Sequence, residues 1–103
     1  MSRTPEGIEK AIVKRYLDSI KAYAHWPVPS GYGKQGVDCY ACIKGKFWAL
    51  ETKAPGAVPT SRQQQTLTQV SEAGGFAVSG TAEQIVRMIS SVLRDDDDPT
   101  RKI

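Results

Sequence analysis

An acid and a base, Glu51 and Lys53, stand two positions apart near the middle of the chain. They end a run of strand-forming residues that begins at Phe47, and side chains two positions apart project from the same face of a strand. Asp38 lies thirteen positions upstream, at the head of a second strand-like run, Val37 to Ile43. The short connection between the runs predicts a hairpin, which would bring Asp38 beside Glu51. Such a group can hold a divalent cation and activate a water, which predicts a metal-dependent phosphodiesterase site.

The first helix is predicted to run from Pro5 to Ala24, with Thr4 as its N-cap. Two acids lie on its apolar side, Glu9 near the middle of the stripe and Glu6 at its edge. A carboxylate there is costly unless it is paired or bound to metal, whereas acids early in a helix also suit its positive end. Either acid could therefore belong to the site. The stripe consists of Ile8, Ile12, Val13, Tyr16, Leu17, Ile20 and Tyr23, and the solvent-facing side carries Lys10, Lys14, Asp18 and Lys21.

A glycine-rich segment, residues 30–36, precedes Asp38 and carries Tyr32 and Lys34 between its glycines. Because glycine lets the backbone approach a ligand closely, this loop is a candidate contact for a phosphate backbone, with Tyr32 and Lys34 as its polar arms. The segment matches neither a Walker A motif nor a dinucleotide fingerprint, and an ordinary flexible loop is the alternative.

A second helix is predicted to begin after Thr60 and to stop at Gly74. Thr60 and Gln63 fit a capping box, which gives Gln63 a structural explanation. Phe76 to Ser79 follows as a short strand. Since strand–helix–strand connections are right-handed crossovers, we expect this strand to lie parallel to the one that carries Glu51.

A third helix opens at another capping-box pattern, Thr81 and Gln84, and is predicted to end near Arg94. Residues 1–94 would form one domain, and residues 95–103 an acidic, disordered tail. The apolar residues of the third helix span more arc than one packed face requires, which favours a homodimer, with a monomer as the alternative. They are Ile85, Val86, Met88, Ile89, Val92 and Leu93.

The order of the elements is helix, edge strand, hairpin, helix, strand, helix. Two prolines in His25 to Pro29 exclude a helix there and allow at most an edge strand. This order predicts an α/β fold in which helices flank a small mixed β-sheet, α-β-β-β-α-β-α.

The composition is typical of a soluble globular domain, with 40% hydrophobic and 24% charged residues in 103. No apolar run approaches the roughly 18 residues of a membrane span, and no signal-peptide pattern is present, which predicts a cytoplasmic protein. The net charge of +3 includes four acids at Asp95 to Asp98; apart from them, 14 basic residues face seven acidic ones. A basic body suits a polyanionic partner.

Cys39 and Cys42 form a single C-x-x-C inside a predicted strand. A zinc site needs a second ligand pair, and residues three apart on a strand face opposite sides. We therefore expect buried or half-buried thiols, with redox or metal chemistry as the lesser alternative. His25, the only histidine, is interpreted as a helix-end residue, since nothing places it near a cysteine or serine nucleophile.

The candidate site residues fall in three segments, Gly36-Val37-Asp38, Glu51-Thr52-Lys53-Ala54-Pro55, and Pro59 to Gly75. Together these segments resemble the VRR-NUC family, a branch of the PD-(D/E)XK nuclease superfamily whose stand-alone members are commonly phage or bacterial. The resemblance spans Thr4 to Ser79. Val37 stands where the family usually has proline, and Gln63 is the member of a three-glutamine run that keeps the family's spacing. The family's register favours Glu6 as the acid of the first helix, whereas the apolar stripe favours Glu9.

The resemblance implies a restriction-endonuclease-like core and an endodeoxyribonuclease that depends on Mg²⁺ or Mn²⁺. It would cleave duplex or branched DNA, with a preference for branched or junction structures, during phage or bacterial replication, repair or recombination. The compartment would be the cytosol of a bacterium or a phage-infected host. A catalytically weak nucleic-acid-binding module on the same fold is the alternative.

The resemblance also implies roles for particular residues. Asp38 and Glu51 would bind the metal, with the backbone carbonyl of Thr52 as a further ligand. Lys53 would orient the attacking water or stabilise developing negative charge. Gln63 would hydrogen-bond Lys53, the water or a phosphate. Glu6 or, by the apolar stripe, Glu9 would complete the metal shell directly or through water.

Overall fold

The computed structural model describes residues 4–28 and 36–97. Within these ranges, no helix is long and apolar enough to cross a membrane. The described residues form three helices and four strands. They are α1 (Pro5–Ser19), β1 (Tyr23–His25), β2 (Cys39–Ile43), β3 (Lys46–Thr52), α2 (Ser61–Glu72), β4 (Phe76–Gly80) and α3 (Ala82–Asp97).

The four strands form one mixed sheet in the order β1-β2-β3-β4. β1 with β2, and β2 with β3, pair antiparallel, whereas β3 and β4 pair parallel with α2 as the crossover. The parallel pairing is the one expected from the sequence, and the predicted α/β fold class with its element order is confirmed.

A two-residue turn joins β2 to β3. Lys44 and Gly45 both have positive φ, 51° and 82°, which is the requirement of a type I′ hairpin turn. This turn type matches the right-handed twist of the flanking strands, so the pairing continues without interruption from Ile43 opposite Lys46 to Cys39 opposite Leu50.

The first helix is shorter than the sequence predicted. It ends at Ser19, the chain turns at Lys21 with φ 59°, and Tyr23–His25 then adds an edge strand to β2. The helical spacing of apolar residues continues past this turn, which is why the end was misplaced. Tyr23, assigned to the apolar stripe, is 77% exposed.

The buried side of α1 is also displaced from the predicted stripe. Val13 and Leu17 are fully buried, whereas Ile8 and Ile12 are 48% and 45% exposed. The helix is therefore rotated about its axis relative to the expectation. As a result, Lys10, three positions before Val13, lies on the side of the helix that faces the sheet and not on the side that faces solvent.

The main core lies between the sheet and the pair α1 and α3. Trp48 stacks on Phe76 with ring centroids 4.5 Å apart. The opposite face packs against α2 through a smaller set, Val37, Ala49 and Leu67. The buried members of the main core are Val13, Leu17, Cys39, Ala41, Ile43, Trp48, Leu50, Ala82, Ile85 and Ile89.

The third helix continues to Asp97, so the predicted end near Arg94 is wrong by three residues. The sequence offers no helix breaker before Pro99, and proline disfavours helical geometry in the residue that precedes it. The acidic run thus begins inside the helix, and residues 98–103 lie outside the described residues.

Candidate active site

The hairpin brings the two predicted carboxylates together at one end of the sheet. Cys39 pairs with Leu50, so Asp38 and Glu51 are neighbours just beyond that pair. The backbone N–H of Asp38 donates a hydrogen bond of 2.9 Å to Glu51 Oε1. Both residues are buried, with 2% and 0% of their surface exposed. The adjacency expected from the sequence is therefore present in the fold.

Thr52 fixes the orientation of the Asp38 carboxylate. Its backbone N–H and its hydroxyl both donate to Asp38 Oδ2, at 3.0 and 2.6 Å. In an extended strand the N–H and the C=O of one residue point to the same side, so the Thr52 carbonyl also faces the side of β3 on which Asp38 lies. The sequence had indicated this carbonyl as a ligand but had given no role to the hydroxyl.

Lys53 lies on the same side of the strand end as Glu51, as the alternation of the strand predicted. Its Nζ is 3.2 Å from Glu51 Oε2 and 3.7 Å from Glu6 Oε1. Its backbone N–H donates to the carbonyl of Gly80 at 2.8 Å, which fastens the end of β3 to β4. With only 9% of the residue exposed, the ammonium is held in place by its two acidic neighbours.

The two candidate acids of α1 have different surroundings. Glu6 contacts Lys53 and therefore lies at the site. Glu9 accepts a hydrogen bond of 2.7 Å from the backbone N–H of Ala82, the first residue of α3. An acceptor at that position satisfies an otherwise open donor and suits the positive end of the helix. The partners favour Glu6 as the site acid and explain Glu9 as a structural tie between helices.

Lys10 belongs to the site although the sequence reasoning placed it in solvent. Its Nζ is 3.3 Å from Asp38 Oδ1. A usable signal was present, because Glu6, Lys10, Val13 and Leu17 follow the i, i+4, i+7, i+11 spacing of one helix face. The prediction instead followed the larger number of apolar residues around Ile8 and Ile12, and therefore centred the buried face on the wrong side of the helix.

Gln63 takes part in the capping box of α2. Its Oε1 accepts from the backbone N–H of Thr60 at 2.9 Å, and its own N–H donates to the Thr60 hydroxyl at 3.2 Å. The hydrogen bonds that the structure describes for this side chain are those of the cap. Tyr32 and Lys34, the predicted phosphate contacts, lie outside the described residues.

The cysteine side chains point to opposite faces of β2, as expected, and both thiols are free. Cys39 is buried, and this burial, together with the nearby Asp38 carboxylate, raises the pKa of its thiol to about 12 in spite of a hydrogen bond with the His25 backbone. Cys42 is exposed, contrary to the expectation of a buried or half-buried thiol. This arrangement does not favour a shared redox or metal role.

The oxygen donors at the end of β3 suit a hard divalent cation. Within residues 4–28 and 36–97, no three His, Cys, Asp or Glu side chains converge on one metal position. Two adjacent carboxylates and a backbone carbonyl are nevertheless enough for Mg²⁺, which keeps several waters and is commonly bound by one or two carboxylates. Asp38 Oδ1 and Glu51 Oε2 each already face an ammonium, so both oxygens are oriented toward positive charge. The residues fit such a cation.

Neither a family model nor a curated protein sequence matches this chain. Among solved structures, a VRR-NUC domain is similar to it with a TM-score of 0.70, covering 85% of this chain and 97% of that domain. The chain has the VRR-NUC fold. The resemblance read from the sequence is thereby confirmed at the level of the fold. At 18% sequence identity, the similarity to this VRR-NUC domain supports the fold alone. The roles of individual residues have to be argued from the geometry of this structure.

Proposed function

We propose that this protein is a divalent-metal-dependent endodeoxyribonuclease that hydrolyses phosphodiester bonds in duplex or branched DNA. The observation that carries the proposal is the buried group at the end of β3, where Asp38 lies against Glu51 and Glu51 lies 3.2 Å from Lys53. Buried charges of this kind are costly to maintain, and their concentration at one sheet end favours a chemical role. The similarity of the fold to a VRR-NUC domain also supports a nuclease function.

The metal would be Mg²⁺ or Mn²⁺, held by Asp38, Glu51 and the carbonyl of Thr52, with Glu6 completing the shell directly or through water. Such an ion supplies a bound water of lowered pKa and offsets charge on the phosphate. Thr52 holds Asp38 in a single orientation through its two hydrogen bonds.

Lys53 would orient the attacking water or stabilise the negative charge that develops on the phosphate. Its fixed position between Glu51 and Glu6 supports this role, because a preorganised charge needs no rearrangement during the reaction. Gln63 would contribute through its amide Nε2, since the cap already engages Oε1.

DNA would approach along the basic body, with Tyr32 and Lys34 as backbone contacts. We further propose a preference for branched or junction DNA, a context in phage or bacterial replication, repair or recombination, and a cytoplasmic location. The active form would be a homodimer, because paired cuts need two sites with opposed polarity. Met88, 37% exposed on α3, and the exposed Ile8 and Ile12 on α1 supply apolar surface for a partner copy.

The test is cleavage of labelled linear, flap and four-way-junction DNA by the wild type and by Lys53→Met, in Mg²⁺, Mn²⁺ or EDTA. We expect cuts by the wild type in either metal, none in EDTA, and a large loss in the variant. Cleavage that persists in EDTA, or that is equal in Lys53→Met, would contradict the assignment. Light scattering of the wild type and of Met88→Lys tests the dimer.

The pairing of both buried carboxylates with lysines also favours a second candidate, a DNA-binding module whose acids serve structure only. That module would bind the same DNA panel equally well with and without metal and would cut none of it. The same experiment therefore separates the two functions.

A further inference from the structure

The two oxygens of Asp38 have different partners. Oδ2 accepts two hydrogen bonds from Thr52, which lies at the fully buried end of β3. Oδ1 faces the Lys10 ammonium at 3.3 Å. The distance from Mg²⁺ to a ligand oxygen is about 2.0–2.1 Å, so such a cation at Oδ1 would lie within a few ångströms of that ammonium. The cation and the Lys10 ammonium would therefore bind the same oxygen, Asp38 Oδ1.

The two lysines of the site differ in their freedom to move. The Lys53 side chain is 11% exposed and lies between two acids, whereas the Lys10 side chain is 40% exposed and extends from the surface of α1. A lysine has a flexible four-carbon stem, so Lys10 can move to solvent when a cation takes over the charge compensation of the buried Asp38 carboxylate. Lys53 would have to leave its buried position to do the same.

We propose that Lys10 is an internal competitor of the divalent cation: its ammonium binds the same oxygen of Asp38 and thereby lowers the affinity of the site for metal. The proposal rests on the proposed metal-dependent function. Three carboxylates, Asp38, Glu51 and Glu6, face two ammoniums, Lys10 and Lys53, in the described site. Removing the Lys10 charge leaves the cluster more negative and takes away one cation that competes for Oδ1, so the affinity for divalent cations rises.

The test is isothermal titration with Mn²⁺ in the absence of DNA, on the wild type, Lys10→Met, Lys10→Arg and Lys14→Met. Lys14 lies one turn further along α1, is exposed, and loses the same charge, so it controls for net charge. We expect Lys10→Met to bind Mn²⁺ about two- to fivefold more tightly, the range of a partly exposed ion pair. Lys10→Arg and Lys14→Met should stay near the wild type.

An affinity of Lys10→Met equal to or weaker than that of the wild type, including no binding to either, would overturn the proposal. So would an equal gain in Lys14→Met, which would indicate a general charge effect. Circular dichroism verifies that each variant folds, and Lys10→Gln replaces Lys10→Met if the latter does not. The titration needs no cleavage, so tight Mn²⁺ binding without nuclease activity would refute the proposed function alone.

Discussion

The polar end of the sheet and the apolar core beneath α1 and α3 are equally buried but are built in opposite ways. Glu51 and Thr52 have no exposed surface, and neither have Leu50 and Ile85. Burial of the apolar pair is favourable by itself, whereas burial of a carboxylate must be offset by hydrogen bonds and opposite charges. The core therefore supports the fold, whereas under the proposed function the charges of the polar end serve the chemistry. This comparison makes separate predictions for activity and for stability.

The largest expected effect is on activity at the polar end. Glu51→Gln keeps the shape of the side chain but removes its charge, so DNA cleavage in Mg²⁺ should fall by more than about 100-fold, since even the outer partners of metal ligands are worth 10- to 100-fold. Glu72→Gln, at an exposed position on α2, is the matched control and should cleave normally. If Glu51→Gln cleaves DNA at a rate within tenfold of the wild type, the charges of the polar end are not needed for cleavage, and the contrast with the apolar core fails.

A large effect on stability is expected in the apolar core. Trp48→Ala removes a fully buried ring that stacks on Phe76, and should lower the free energy of unfolding by about 3–5 kcal/mol. Phe47→Ala, at the neighbouring 49% exposed position, should cost about 1 kcal/mol. Urea unfolding followed by circular dichroism measures both. Equal losses would mean that the core is not concentrated on the Trp48 side of the sheet.

A smaller effect separates the two acids of α1. Glu9→Ala loses the hydrogen bond to the Ala82 N–H and should cost about 0.5–1.5 kcal/mol of stability. Glu6→Ala should cost less stability but more cleavage activity, because Glu6 contacts Lys53. Thermal unfolding and cleavage rates of both variants test the assignment. The reverse pattern, with activity lost only in Glu9→Ala, would restore Glu9 as the site acid.

The smallest effect concerns the thiols, one on each side of β2. Native protein at pH 8 should react with a thiol reagent only at exposed Cys42, and Cys39 should react after unfolding in urea. The raised pKa of Cys39 favours its protonated form in the fold, so its contribution to stability is complete below pH 9.0 and is lost as the pH rises toward 12. Two rapidly reacting thiols in native protein would show that the core is open there.

The sequence predicted the hairpin of β2 and β3 because it depends on local patterns, whereas the edge strand was expected within His25 to Pro29 and lies at Tyr23–His25. Alternation placed Glu51 and Lys53 on one face, and the short connection at Lys44 and Gly45 fixed the hairpin that brings Asp38 beside Glu51. A capping box predicted Gln63 as the partner of Thr60 in the cap, which the structure confirms. These features need no information about distant parts of the chain.

The errors at the candidate site concern the packing of helices, which sequence periodicity determines only loosely. The apolar residues of α1 outnumber those its buried side can accommodate, so the rotation of the helix depends on its contacts with α3 and β3. Tyr16 illustrates this, since its hydroxyl is hydrogen-bonded to Ser90 of α3 at 2.7 Å. The roles of Lys10 and Glu9 both follow from that rotation and could not be assigned before it was known.

The turn at Lys44 and Gly45 lies at the far end of the hairpin from Asp38, yet it determines whether the two carboxylates meet. A slip of one residue between β2 and β3 would send Glu51 to the opposite face of the sheet and set a different residue against Asp38. The two positive φ values are those that a two-residue type I′ turn requires, and a β-branched residue at Gly45 would disfavour that turn. A turn at the opposite end of the hairpin thus sets the strand alignment that places the two carboxylates of the site side by side.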